Sequence, residues 1–328
     1  MSLPRSLYVD AKKIGAGRYS SVFSATRIDD PDQPRVCVKR MHLSVGDSVQ
    51  AKANMKAFAR ELLTLARMVG KSPNIVTSHQ TFIQGNYVLV EMELMDCSLD
   101  DLILSADKRF THDLIRTVAV HVLRGIEAIH AAGIMHRDIK PGNILISRKG
   151  HVKLCDFGLS RPVRSDATFT NEVCTRWYKP IEVLLGSNLH TPAIDLWSVG
   201  CVIADLVNLS PLFPGFSDIE QLFLIQSGLG KLEESLWPSV TDSLSDYGKI
   251  EFDLPEPCGL ESLVPSASAE AVAAIRGCLV YNPSSRWTAD ECLRSAWSQG
   301  PILSSAELGA CFEHVLDSST LNTVPSRT

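Results

Sequence analysis

The sequence predicts an α+β protein in two unequal parts, a β-rich N-terminal part carrying one helix and a larger, mainly helical remainder. Three observations predict it. Short β-branched and aromatic runs separated by turn residues fill most of the stretch from Leu7 to Met95, as strands do. Inside that stretch, Ala51 to Met68 changes period: Phe58, Leu62, Leu65 and Met68 recur at three and four, the spacing of an amphipathic helix. Beyond Ser98 helical spacing dominates. His112 to Ala131 places Ile115, Val118, Ala119, Val122, Leu123, Ile126 and Ile129 on one broad apolar face.

Taken in order, Ile14-Gly15-Ala16-Gly17-Arg18-Tyr19-Ser20-Ser21-Val22-Phe23 sets glycines between two β-rich runs, the pattern of a hairpin. Val36-Cys37-Val38-Lys39 is a short strand after the turn residues Asp29 to Pro34. Pro73 to Val76 opens another extended segment, and Tyr87 to Met95 reads as a core strand running into a linker. Helical runs follow from about Asp195 to Leu209 and from Ile219 to Leu229, and Pro and Ser cluster irregularly between Pro255 and Ser268. From Ser304 onward the chain is polar and rich in Ser and Thr, which reads as a mobile tail. The expected divisions are a tail over 1–7, a first lobe over 8–95, a second over 96–300 and a C-terminal tail over 301–328.

At 328 residues the chain suffices for about two lobes of ordinary size. Its composition, 45% hydrophobic and 21% charged, is that of a soluble globular protein. A formal net charge of -5 speaks against wrapping nucleic acid. No stretch is apolar enough to span a bilayer, and residues 1–10 lack a signal-peptide run. The nine cysteines form no Cys-x-x-Cys pair and sit mostly among apolar neighbours, as thiols of a reducing compartment do. An intracellular protein is expected, in nucleus, cytoplasm or both, with neither membrane nor nucleic acid as partner.

The chemistry concentrates in His136-Arg137-Asp138-Ile139-Lys140-Pro141-Gly142-Asn143 and, shortly after, Asp156-Phe157-Gly158. Two acidic residues, one Lys and one Asn at these spacings suit phosphoryl transfer from Mg-ATP to a hydroxyl. Asp138 can orient and deprotonate the acceptor, and Lys140 can neutralise charge on the γ-phosphate. Asn143 and Asp156 supply hard oxygen ligands for Mg2+. The two loops, in this order, resemble the catalytic and metal-binding loops of the eukaryotic protein kinases.

That resemblance covers about residues 8 to 300. It implies a two-lobed protein-kinase fold, with a small antiparallel β-sheet and one helix above a mostly helical lobe and ATP in the cleft between them. It implies that Ile14, Gly15, Ala16, Gly17, Arg18, Tyr19, Ser20 and Ser21 close over the nucleotide, Ser20 standing where the family has a third glycine. Val22 and Cys37 would pack above the adenine and Leu145 below it, with Cys155 at the rear. Lys39 would hold the α- and β-phosphates when paired with Glu61. Met92 would be the gatekeeper, Glu93 and Met95 would read adenine through their backbone, and His136 would be a core residue near Phe157.

Thr175-Arg176-Trp177-Tyr178-Lys179-Pro180-Ile181-Glu182 resembles the segment that closes the activation loop in the CMGC kinases, with Lys179 for an Arg and Pro180-Ile181 for Ala-Pro. It implies that Thr175 positions substrate and that Glu182 pairs with buried Arg286. Asp195 would open the helix that ties down the catalytic loop. Pro211-Leu212-Phe213-Pro214-Gly215 with Asp218 to Leu222 is similar to the cyclin-dependent kinases, nearest their cell-cycle-related and CDK-activating members. The implied activity is serine/threonine-specific and proline-directed, on protein substrates. Phosphate on Thr170 would be added by an upstream kinase and held by Arg60, Arg137 and Arg161, since several guanidinium groups suit a phosphate. A cyclin-type activator is a candidate partner. The alternative is a catalytically weak pseudokinase scaffold that binds ATP and partner proteins.

Overall fold

The computed structural model describes residues 3–4, 6–16, 20–29, 35–43, 49–106, 110–163 and 175–318. Five strands, β1 (Tyr8–Ala16), β2 (Ser20–Arg27), β3 (Val36–His42), β4 (Ser78–Gln84) and β5 (Tyr87–Glu93), form an antiparallel sheet in the order β1-β2-β3-β5-β4. Helix α1 (Val49–Met68) lies between β3 and β4 in sequence. Alternation along the strands makes two faces. Val90 and Met92 of β5 join Leu65 and Met68 of α1 in the main core. Leu89, with Val36 and Val38, joins Tyr8, Phe23 and Ala25 in a separate outer cluster that also takes in Leu3. Lys39 is one residue out of step with Val38, so the same period turns it inward toward α1.

The second lobe is built on helices. Ser98 caps α2 (Leu99–Ser105) in a reciprocal box with Asp101, and Thr111 caps α3 (His112–Ala131) by accepting from Leu114 N–H. Short strands follow: β6 (Cys97–Ser98) pairs with β8 (Ile144–Ser147), which pairs with β9 (His151–Leu154), while β7 (Ile134–Met135) pairs with β10 (Arg161–Pro162). After a short turn of helix, α4 (Ile181–Leu184), come α5 (Ala193–Asn208), which is buried nearly all round, and α6 (Asp218–Leu229). The helices α7 (Val240–Ser243), α8 (Leu260–Leu263), α9 (Ala269–Cys278) and α10 (Ala289–Arg294) complete the lobe. Ile75 bridges to Leu154, and Leu154 N–H donates to Asn74 O, so the segment before β4 is stitched to β9 across the cleft.

One expectation is overturned. The chain beyond residue 301, read as a mobile tail, contains α11 (Ser305–Ser318), with Leu308 and Phe312 fully buried and Leu316 nearly so. Ser304 and Glu307 form a capping box at its start, Ser304 N–H and Oγ donating to the carboxylate and Glu307 N–H to Oγ. Leu308, Phe312, Val315 and Leu316 lie four, seven and eight apart, one helical stripe, and the helix docks against α2, α3, β8 and β9. The exposed polar residues between 305 and 317 are its outer face, and residues 319–328 lie outside the described residues. The eight described cysteines are all free thiols, and no helix among the described residues is long and apolar enough to cross a membrane.

Candidate active site

The cleft between the lobes gathers the residues singled out from the sequence. Lys39 Nζ lies 2.6 Å from Glu61 Oε1 and 3.2 Å from Asp156 Oδ1. Burial by itself would depress the ammonium pKa, but the two carboxylates more than offset it and hold it raised. Asp156 in turn is held below its ordinary value, chiefly by Lys39. Its backbone is left-handed, at φ 62°, a strained conformation for a non-glycine residue that turns the carboxylate into the cleft.

The catalytic string is braced from behind. Asp195, fully buried at the start of α5, accepts from His136 N–H at 2.9 Å, Arg137 N–H at 2.7 Å and His130 Nε2 at 2.8 Å. Burial alone would raise this carboxyl; the hydrogen bond from His130 and the neighbouring donors keep it lowered and ionised. Arg137 also adopts a left-handed conformation, φ 70°, and the bond from its N–H to Asp195 offsets that strain. His136 is fully buried, 3.0 Å from Cys155 O through Nε2 and 4.9 Å between ring centroids from Phe157. It is a core residue, as the resemblance implied.

Asp138 stands at the open edge of this support. Thr175 N–H and Oγ1 donate to its Oδ1 at 3.1 and 3.2 Å, Lys140 Nζ lies 3.1 Å from its Oδ2 and 2.7 Å from Thr175 Oγ1. Asn143 Nδ2 donates to both Asp138 O and Oδ2 at 2.8 Å. With both amide protons engaged, Asn143 Oδ1 accepts no hydrogen bond among the described residues and is available to a cation. That leaves one amide oxygen and the Asp156 carboxylate, a hard-oxygen pair that fits Mg2+, whose shell is ordinarily completed by nucleotide phosphates and water. Among the described residues no cluster of three or more His, Cys, Asp or Glu side chains could hold a metal.

Val22, Cys37, Met92 and Leu145, expected around the adenine, lie on β2, β3, β5 and β8. Register pairs Val22 with Lys39 and Cys37 with Met92. Val22, Cys37, Leu145 and Cys155 are half-buried, Met92 is buried, and Ile14 is exposed at the rim. Burial pushes the Cys37 thiol up to about 11, and that of Cys155 higher still, so both are protonated. Met95 lies beyond β5, and its N–H and C=O make no backbone hydrogen bond among the described residues. Gly15, Ala16, Ser20 and Ser21 end and restart the first hairpin; Gly17, Arg18 and Tyr19 lie outside the described residues.

Sequence reasoning missed the props. Glu93 accepts from Thr77 N–H and Lys153 Nζ, both at 2.7 Å, which anchors the linker at its root. His130 shares Asp195, and Thr64 Oγ1 meets Ser160 Oγ at 3.0 Å. None of these is marked by spacing, since each joins segments far apart in the chain. Further down, Glu182 and Arg286 form the expected buried pair, two parallel bonds of 2.9 and 3.0 Å, with the guanidinium 5.1 Å from the Trp197 ring centroid. Of the residues assigned to phosphate capture, Arg60 donates to Gly158 O, Arg161 is half-buried and Arg137 fully buried. Thr170 lies outside the described residues.

Residues 8–298 match the family model described as the protein kinase domain. The chain belongs to the protein kinase family. It is 34% identical over 284 residues to cyclin-dependent kinase 20 of Danio rerio, covering 86% of this chain and 80% of that protein. To cyclin-dependent kinase F-3 of Oryza sativa subsp. japonica it is 35% identical over 287 residues, 88% of this chain but 64% of that longer protein. A solved structure, that of the CAK complex from Chaetomium thermophilum bound to ATP-gamma-S, contains a chain that matches with a TM-score of 0.81 and 31% identity, covering 92% of this chain and 95% of that one. The kinase is therefore a serine/threonine kinase of the cyclin-dependent-kinase-like CMGC branch, and ATP is its nucleotide.

Proposed function

We propose that this kinase is proline-directed and is switched on by phosphorylation of Thr170, with a cyclin-like protein bound against α1. The observation that carries the switch is the Arg60–Arg161 pair beside the start of segment 164–174. Burial, and then the charge of Arg161, lower Arg60 to about 10, and burial lowers Arg161. Neither has a carboxylate partner among the described residues. Two half-buried like charges held together are costly, and a phosphate would relieve them. Arg137 adjoins Asp138 in sequence, so an anion held there acts directly on the catalytic loop. For the activator, Met55 and Leu63 expose apolar surface on α1, Leu63 at 65%, eight residues and so about two turns apart. The names of the cyclin-dependent relatives support the cyclin-like partner, and the proline preference rests on the resemblance of residues 175–182 to the CMGC segment.

In the chemical step, Asp138 orients the acceptor hydroxyl and takes its proton. Lys140 bridges toward the transferred phosphate, and Lys39, fixed by Glu61, holds the phosphates that stay with the nucleotide. Asn143 and Asp156 would hold Mg2+, which supplies charge neutralisation on the phosphates. Thr175 keeps Asp138 and Lys140 in register. A radiolabel assay on Ser/Thr peptides tests the reading: Thr170→Ala should lose most activity, and Pro after the acceptor should be selected. Full activity of Thr170→Ala, or of a monomer from which no cyclin-box protein co-purifies, refutes the corresponding part.

A further inference from the structure

Phe216 is the most exposed large apolar side chain among the described residues, at 82%, and Ile219, in the first turn of α6, is 55% exposed. An exposed aromatic on a loose loop would mean little. This loop is fastened. Trp177 Nε1 donates to Gly215 O at 3.1 Å, Gly215 N–H to Gln221 Oε1 at 3.1 Å, and Gln221 Nε2 back to Trp177 O at 3.3 Å. Phe216 N–H donates to Glu220 Oε2 at 2.8 Å, and Ser217 Oγ caps α6 by accepting from Glu220 N–H. A Cβ on Gly215 would fall 2.6 Å from Gln221 N, so only glycine fits there. The ring is held out by design of the backbone around it.

The fastening leads to the catalytic centre. Trp177 lies two residues after Thr175, which bonds Asp138. On the same shelf Arg176 Nε and Lys179 Nζ both reach Asp218, at 3.0 and 3.3 Å. One carboxylate offsets one of these two positive charges, and the apolar pair Phe216 and Ile219 stands beside them as the surface suited to an apolar side chain.

We infer that Phe216 and Ile219 form a substrate subsite that selects an apolar side chain in the polypeptide flanking the phosphoacceptor. The occupant is the substrate chain itself, because its hydroxyl must reach Asp138, and hydrogen bonds tie the segment that carries the ring to that residue: Thr175 donates to Asp138, and Trp177, two residues on, donates to Gly215 O beside Phe216. This rests on Asp138 being the residue that receives the acceptor. An extended chain advances about 3.3 Å per residue, so a fixed subsite reads one fixed position in the flanking polypeptide. The backbone that carries the ring is already fastened and so pays little on binding.

A positional-scanning library of Ser/Thr peptides, assayed with the active full-length kinase, tests the assignment. Wild type is compared with Phe216→Asp, Phe216→Leu and the control Ile83→Asp, which alters a β4 side chain that is 71% exposed. The expected result is an apolar preference of about tenfold at one flanking position, erased by Phe216→Asp, restored by Phe216→Leu and untouched by Ile83→Asp. A profile without apolar preference at any flanking position, or one that Phe216→Asp leaves in place, overturns it. Proline next to the acceptor is scored in the same library. An apolar preference that depends on Phe216 therefore sustains the subsite even where proline direction fails.

Discussion

Lys39 Nζ sits 2.6 Å from Glu61 Oε1, so β3 and α1 are locked by an ion pair whose two side chains are 13% and 6% exposed. The same ammonium reaches Asp156 of the other lobe. One cation thus ties together the sheet, the helix and the loop that carries Asp156. Lys39→Met should lower peptide phosphorylation by about a hundredfold or more in a protein that still folds, as circular dichroism and a turnover assay would together establish.

Glu182 and Arg286 are buried and doubly bonded, with Arg286 also donating to Val280 O and Ala193 O. Removing one partner strands a buried charge. Glu182→Ala should therefore destabilise the fold by about 3–5 kcal/mol, read from the midpoint of chemical denaturation. Arg286→Met in the same background should recover part of the loss.

Asp195 is fully buried and offers its carboxylate to three donors. Replacing it with Asn turns an amide N–H₂ toward donors it cannot accept from, at a cost of about 1–3 kcal/mol, and releases the left-handed turn at Arg137. The loss should fall on kcat with little change in KM for ATP, because the residues expected to contact adenine are at the linker and none of them bonds Asp195. A KM effect alone would contradict this positioning role.

The docked helix α11 makes its own prediction. Phe312 is fully buried, and Phe312→Ala should cost about 3 kcal/mol or more, visible as a lowered Tm. A free tail would show no shift.

The acid limb of stability should carry the mark of Asp156. Its pKa is lowered by Lys39, so its contribution is present above the ordinary carboxylate value near about 4 and is lost as pH falls through the lower, folded value. Over that window wild type should lose more stability than Asp156→Asn, measured by urea midpoints at successive pH values. Equal slopes would show that the Lys39 contact is screened away.

Much of the site was legible because its parts are neighbours in sequence. Asp138, Lys140 and Asn143 lie within five residues of one another, and alternation along β3 turned Lys39 inward beside Cys37. The Glu182–Arg286 pair and the role of Asp195 came through resemblance alone. The missed α11 shows the limit. Its Ser304–Glu307 box and its stripe of Leu308, Phe312, Val315 and Leu316 were present in the sequence, but a stripe becomes a docked helix only where a groove receives it. That groove is made by α2, α3, β8 and β9. Likewise, nothing around Phe216 announced that its loop would be fastened to Trp177.

What the sequence by itself determined is the chemistry available: two carboxylates, a lysine and an amide at spacings suited to magnesium and phosphate, and a chain patterned for strands first and helices after. Only the tertiary structure decided which groups meet. Lys39 and Asp156 are 117 residues apart, and their contact exists because the sheet, α1 and the loop that carries Asp156 close on one cleft. Local pattern specifies the identity and direction of a side chain. Partnership across such separations depends on how all the buried faces pack at once, which no window of sequence contains.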